Sequence, residues 1–385
     1  MADYLRQARE IAPELIELRR AFHRHPELGN HEYQTAARIE AWLQSCGIPT
    51  KRILATAVVG TLTGGLPGAT VALRADMDAL PLQENTGADY ASVIPGVMHA
   101  CGHDVHMAAA LGAAKLLAAC REELPGTVLF LFQPDEEGSG GAQRMIDAGV
   151  LDDVDAVFGC HVSPDLPAGY VGVRYGKFYA ASDTFCITLT GKSAHGAERE
   201  NGVDALAAAA EMVTALLSLP KSFPQERSVV SVGTLHSGTA GNIISDRAEL
   251  SGIIRTLGQE NREAMRARFS RVIEALARRH GVGLDYELRR SYPGVVNDRE
   301  MTRLVQDTAS TLLGADRVRV IAEPTMTTED FGYFLQKKPG SFYHVGAGCA
   351  LPLHNTAFLP DEAAIITAAA LHTAIIEAFL RRETP

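Results

Sequence analysis

The densest run of side chains able to bind a cation or move a proton is Met98-His99-Ala100-Cys101-Gly102-His103-Asp104-Val105-His106. A thiolate and an imidazole two residues apart, with a glycine between them, can turn back onto one metal-sized volume. Alone, the segment reads more readily as a structural cysteine beside a histidine. The second run is Gln133-Pro134-Asp135-Glu136-Glu137-Gly138-Ser139-Gly140-Gly141. Neighbouring side chains diverge, so Glu136 and Glu137 can divide two tasks. One can ligate a metal while the other stays free as a general base toward a water that the metal activates. Taken by itself, this segment reads as a solvated acidic turn. Three more pieces complete the set: His161, the pair Asp76 and Asp78, and His354. Each has a bland reading as a satisfied polar residue. Together they place five potential ligands and an adjacent carboxylate at the ends of several predicted strands.

Those strands follow from the apolar pattern. Thr127–Phe132 is an uninterrupted apolar run of strand length, followed by a glycine-rich loop and a helix, as for a strand buried on both faces of an α/β sheet. Ligand sites in such sheets gather at the carboxyl ends of the strands. Ala156–Cys160 predicts a further short buried strand with His161 after it. Asp76 and Asp78 end another, two residues apart and hence on one face. His354 falls in a loop after the predicted strand Ser341–Val345. Asp3–His25 carries apolar residues at helical spacing and reads as one amphipathic helix. A second helix runs from about Tyr33 to Cys46, and an alanine-rich helix covers Met107–Ala119.

Near residue 180 the texture changes. Ser182–Thr190 alternates as a half-exposed strand, and the order from there is β-α-β-β-α-β, a split βαβ or ferredoxin-like unit. One face of such a sheet carries two helices and the other is bare, a natural dimerisation surface. The α/β texture resumes at Tyr292. The expected architecture is one discontinuous, doubly wound α/β domain, residues 1–180 and 292–385, interrupted by an α+β insert, residues 181–291.

Composition narrows the function classes. In 385 residues, 36 Lys+Arg against 46 Asp+Glu give a formal charge of -10, which offers nothing to a nucleic-acid backbone. The apolar runs are broken by charge, Gly or Pro short of a membrane span, so no membrane partner is expected. The first residues lack the basic and apolar regions of a signal peptide, and six cysteines are too sparse for a disulfide framework. A reducing, cytoplasmic setting is the expectation.

The chain resembles the M20 family of metallopeptidases and amidohydrolases, and within it the N-acyl-amino-acid, hippurate and auxin-conjugate amidohydrolases. The matching segments are Leu18–Gly29, Arg74–Pro81, Met98–His106, Phe132–Gly138, Lys192–Gly196, Thr239–Asp246, Ile254–Thr256 and Glu329–Phe331. The resemblance implies a binuclear site with ligands Cys101, His103, Glu137, His161 and His354. Cys101 stands where most branches have a bridging aspartate, and Asp76 where they have a metal-binding histidine. Asp78 matches the acid that orients a ligand, and Glu136 matches the general base. His195 matches an oxyanion donor reaching in from the insert, supplied by a partner subunit. Asn242 and Arg255 match substrate-contacting positions, although Arg255 as a surface strand charge is an even alternative. His99 and His106 are expected to be structural or supporting. Glu329 and Asp330 receive a supporting role only.

The implied cofactor is a pair of divalent cations, Zn, Mn, Co or Ni. The implied activity is hydrolysis of N-acyl-amino acids in a homodimer joined through the insert. A dipeptidase or carboxypeptidase of the same family is the alternative, and a non-catalytic binding homologue the third reading. Two departures touch specificity. Ala197–Gly202 replaces the usual Pro-His before the glycine, and Thr325–Thr328 stands where relatives carry glycine.

Overall fold

The computed structural model describes residues 3–382. It divides into two compact units, Met1–Gly176, Asn297–Ala322 and Asp330–Pro385 forming one, and Lys177–Val296 with Glu323–Glu329 the other. The strands are β1 (Thr50–Ile53), β2 (Ala57–Thr63), β3 (Leu66–Asp76), β4 (Pro125–Gln133), β5 (Ala156–Ser163), β6 (Val171–Val173) and β7 (Gly176–Tyr179). They continue with β8 (Ala181–Thr190), β9 (Ser228–Ser237), β10 (Arg247–Thr256), β11 (Gly283–Arg290), β12 (Val295–Asn297), β13 (Val318–Val320) and β14 (Gly340–Gly346).

In the first unit eight strands form a sheet in the order β1-β2-β4-β3-β5-β14-β6-β13. Its centre, β4-β3-β5-β14, is parallel, while β1 and β2 at one edge pair antiparallel. β5 is buried along all of its residues, as a central strand covered on both faces must be. The α/β architecture expected from the sequence is the one found.

Three local readings are corrected. Asp3–His25 is two helices, α1 (Tyr4–Glu10) and α2 (Ala12–Arg24), because Pro13 lacks the N–H that would continue the ladder and restricts the residue before it. Helix α3 (Tyr33–Ser45) follows as expected, but α4 (His103–Ala119) begins four residues earlier than read, directly after Gly102 in a left-handed conformation, φ 88°. His103 and His106 therefore lie on the first turn of a buried helix. β5 runs to Ser163, so His161 is inside the strand rather than beyond it.

The remaining helices are α5 (Ala142–Asp147), α6 (Ala205–Ser218), α7 (Gln259–His280), α8 (Arg299–Leu313), α9 (Gly332–Leu335) and α10 (Ala363–Leu380). α10 has the length and hydropathy of a membrane span, which the reading of the sequence did not register. Yet 78% of that stretch is buried in the protein, packed with α4 and α8 in the main core.

The second unit holds a four-stranded antiparallel sheet, order β11-β8-β10-β9, with α6 and α7 packed on it. In chain order that is four-one-three-two, the ferredoxin-like arrangement. Phe185, Ile187 and Leu189 of β8 are buried, while Thr184, Cys186 and Thr190, on the alternate positions, are exposed and Thr188 is half-buried. By the period-2 alternation the exposed residues lie on the face opposite α6 and α7.

Candidate metal centre and active site

Arg74, two residues before the C-terminal end of β3, fixes the strand ends. It donates to Asp76 Oδ2 at 2.6 Å, to Gln133 Oε1 at 2.9 Å and to Asp330 Oδ1 at 2.9 Å. Asp330 also accepts the backbone N–H groups of Gly141 and Ala142, both at 3.0 Å. The ends of β3 and β4 and the start of α5 are thereby held by one buried ionic network. Sequence reasoning gave Arg74 no role. A charged residue in a strand covered on both faces was the available signal, since such a charge must be paired.

Around this frame the five expected ligands converge. Cys101 Sγ lies 3.3 Å from His161 Nε2, and donor atoms of Cys101, His103 and His161 fall within 4.8 Å of one another. So do those of Cys101, Glu137 and His354, and those of His103, Glu136 and Glu137. His103 gives its Nδ1–H to the Asp78 carbonyl at 2.8 Å, and His161 its Nδ1–H to Val162 O at 2.7 Å. In its neutral form each ring therefore presents an unprotonated Nε2 to the cluster, the tautomer a cation requires. Asp78 accepts the Glu137 N–H at 2.9 Å. His354 has a left-handed backbone, φ 62°, and its N–H is held by Ala100 O at 2.9 Å, next to Cys101.

The donor set fits a divalent cation on independent grounds. Among the described residues, His103 Nε2, Asp78 Oδ1 and Glu137 Oε1 are buried without a hydrogen-bond partner, a costly state unless something else binds them. Glu137 Oε1 is 2.9 Å from His354 Nε2, yet the two are not aligned as donor and acceptor. Burial and the Glu137 and Glu136 carboxylates hold the Cys101 thiol well above its usual range, so a thiolate there calls for added positive charge. Burial and His106 hold the His161 imidazole in its neutral form. Burial disfavours charge on His103, but Asp76, Asp78 and Glu137 outweigh it and lift its pKa to about 10. An imidazolium is what those carboxylates gather when no metal neutralises them.

Donor atoms of Asp76 and His106 also fall within 4.8 Å of those of His103, but each is already engaged in a hydrogen bond. His106 binds Asp76 Oδ1 at 2.6 Å through Nδ1, and its Nε2 accepts the Val162 N–H at 2.9 Å. The other Asp76 oxygen takes Arg74. His99 is buried in its neutral form, its pKa pushed down to about 3 by desolvation, and His344 likewise. His372 bonds Tyr343 at 2.6 Å in the core.

His195, Asn242 and Arg255 belong to the second unit. His195 and Asn242 come together: the Gly196 N–H donates to Asn242 O at 2.7 Å, and His195 bridges to Ile243. Both side chains are exposed. His195 Nδ1 accepts the Ala197 N–H at 3.2 Å, which leaves the proton on Nε2 as a donor. Arg255 does not join them. It is register partner to Ser182, whereas the His195 loop leaves β8 beyond Thr190, the partner of Arg247. Eight strand residues separate the two ends, roughly 26 Å.

The sequence pattern of Peptidase family M20/M25/M40 matches residues 72–378. The chain belongs to this family. The M20 resemblance read from the motifs therefore holds, and the protein is an amide-hydrolysing enzyme. It is 37% identical over 383 residues to Thermostable carboxypeptidase 1 of Saccharolobus solfataricus, covering 96% of each chain. It is 38% identical over 358 residues to N-acetylcysteine deacetylase of Bacillus subtilis, covering 92% of this chain and 93% of that one. A dinuclear metal binding peptidase of the M20 family from Bacillus subtilis shares the fold with a TM-score of 0.87 and 36% identity, over 97% and 99% of the two chains.

Proposed function

We propose that this M20 enzyme hydrolyses the amide bond of N-acyl-amino acids, such as N-acetyl or N-benzoyl conjugates, releasing a carboxylate and an amino acid. The observation that carries the reading is the convergence of Cys101, His103, His161, Glu137 and His354, with buried atoms left unbonded, beside the buried carboxylate of Glu136. These five residues would hold two divalent cations, Zn, Mn, Co or Ni, whose donor mixture of S, N and O does not decide among them. Cations bound there polarise the scissile carbonyl and make an attacking water acidic. Glu136 takes the proton of that water as the C–O bond forms, then delivers it to the leaving nitrogen as the C–N bond breaks. Asp78 keeps His103 and the Glu137 backbone in place while this happens.

His195, with its proton on Nε2, is the donor to the developing oxyanion, and Asn242 and Arg255 contact the substrate. The ~26 Å along the strand between Arg255 and the His195 loop supports a dimer, because one small amide can use both only from two copies of the second unit. The face of the four-stranded sheet opposite α6 and α7 is the surface we assign to that dimer.

The test is metal-loaded protein against a panel of N-acetyl, N-benzoyl and dipeptide substrates, with Glu136→Ala alongside. Wild-type turnover of the acylated substrates, absent in the variant, is expected. A wild type as inert as the variant across the panel overturns the reading. The carboxypeptidase relative favours a second reading, in which dipeptides outrun N-acyl substrates in the same panel.

A further inference from the structure

Asp135, immediately before the two glutamates, has a left-handed backbone with φ 59°. Outside glycine that conformation is uncommon, Asp and Asn tolerating it best, and surrounding contacts can fix it. The surroundings here do so from every side. The Asp135 N–H donates to Glu32 Oε1 at 3.0 Å, and Glu32, fully buried, is fixed in turn by the Thr56 hydroxyl at 2.7 Å. The Asp135 carbonyl accepts the Gly140 N–H at 3.0 Å. Its carboxylate takes the Ser139 N–H and hydroxyl at 3.2 and 2.5 Å and Arg144 Nη2 at 3.1 Å. Arg144 reaches on to Asn30 Oδ1 at 2.7 Å. A Cβ on Gly29 would stand 2.3 Å from Asp135 Oδ1, and one on Gly138 2.2 Å from it. Only glycine leaves room on either side.

The stretch that supplies Gly29, Asn30 and Glu32 also grips the other acid-bearing turn. Leu28 bridges to Ala79, and the Ala79 N–H donates to Glu27 O at 2.8 Å, one residue past Asp78. Asp78 in turn accepts the Glu137 N–H. The contacts form a closed circuit: Asp78–Ala79, Glu27–Glu32, Asp135–Glu137, and back to Asp78. We propose that Glu27–Glu32 is a brace whose positioning residues, Gly29 and Glu32, hold Asp135 left-handed and so aim Glu136 and Glu137 separately into the metal cluster. The proposal rests on the roles given above to those two glutamates. It gives a task to the Pro26-Glu27-Leu28-Gly29 part of the sequence motif, which supplies none of the proposed ligands.

Four variants test it: Gly29→Ala, Asp135→Ala, Asp135→Asn and Arg144→Met. The readouts are the visible spectrum and stoichiometry of bound Co(II), measured without substrate, and kcat and KM. Displacing a catalytic group by about 1 Å can cost ~10²-fold, so Gly29→Ala and Asp135→Ala should lose about that in kcat with KM nearly unchanged, and shift the cobalt bands. Asparagine tolerates the left-handed region and keeps an acceptor, so Asp135→Asn should restore both readouts. Wild-type spectra and kcat in Gly29→Ala and Asp135→Ala overturn the brace. Should either fail to fold, Arg144→Met, altered only at a partly exposed side chain, must show the same shift at smaller amplitude, and an unshifted spectrum there overturns it too. A shifted spectrum in a protein that cleaves no N-acyl-amino acid sinks the substrate reading and leaves the brace. Normal turnover of those substrates with unshifted spectra does the reverse.

Discussion

The two sets of residues assigned to catalysis are built in opposite ways. In the first unit Cys101, His103, His161 and Glu136 are buried on β5, the first turn of α4 and the loops beside them, Glu137 is half-buried, His354 is the exposed member of the set, and donor atoms are left unbonded. In the second unit His195 and Asn242 are exposed on loop segments, and Arg255 is far from both. A buried cluster with unmet bonding capacity is preorganised for a charge that must arrive, and its geometry does not wait for substrate. Exposed side chains on a separate unit suit groups recruited only when substrate is present. The difference predicts that variants in the first set fail before chemistry, whereas those in the second fail during it.

The largest effect is expected from Cys101→Ala or His161→Ala. Outer partners of a metal ligand typically contribute ~10–100-fold in metal affinity, and a ligand itself more, so these variants should bind fewer ions and lose turnover together. Metal analysis of protein purified without chelator checks it. Full occupancy in both variants would break the contrast at its stronger end. His195→Ala should instead keep wild-type metal content and lose ~10²–10³ in kcat, the usual value of one oxyanion donor. Mixing it with Glu136→Ala should restore part of the activity after subunit exchange if His195 acts on a partner's substrate. No recovery once exchange is verified removes the partner role. Arg255→Ala should be milder, raising KM about tenfold for substrates with a free carboxylate and leaving kcat nearly intact. An equal loss in kcat would mean that Arg255 acts in the transition state.

The same contrast governs what the sequence could disclose. Cys101 and His103 were legible from their spacing, Glu137 and His161 from following predicted strands and His354 from a loop after one, but each had a bland reading alone, and it was the resemblance of the motifs that joined them into one ligand set. The α/β and ferredoxin-like layers were legible from the change in periodicity near residue 180. Arg19 was missed although its signal was present: it shares the apolar stripe of Leu15, Leu18 and Phe22, so it had to be buried and paired. Asp135 had no such signal. A left-handed turn that depends on Gly29 and Glu32, more than 100 residues earlier, cannot be read from the turn alone. The early start of α4 was hidden by Gly102, which reads as a breaker and acts here as the left-handed entry to the helix. The separation of Arg255 from His195 required the strand register, which sequence spacing does not supply.

The smallest effect sharpens the comparison from behind the cluster, where ionised groups serve packing instead of chemistry. Arg19 Nε and His23 Nδ1 both bind Asp104 Oδ2, at 2.7 and 2.8 Å, on the turn of α4 that carries His103. His23 Nε2 reaches Glu84 at 3.2 Å. Burial disfavours the imidazolium, yet Asp104 and Glu84 outweigh it and raise the His23 pKa, while Asp104 and Glu84 themselves are held low against burial by their cationic partners. A raised histidine stabilises the fold fully below its unfolded pKa of about 6.5 and loses that contribution as pH rises through the folded value. The lowered carboxylates contribute above their unfolded values, about 4, and lose it as pH falls. His23→Gln should therefore melt about 2–4 °C below wild type between pH ~5 and ~6.5, with the deficit shrinking in alkali. A deficit that is constant with pH would mean that His23 acts by shape alone. Metal content and kcat should stay near wild type, since the hydrogen bonds of His23 go to Asp104 and Glu84.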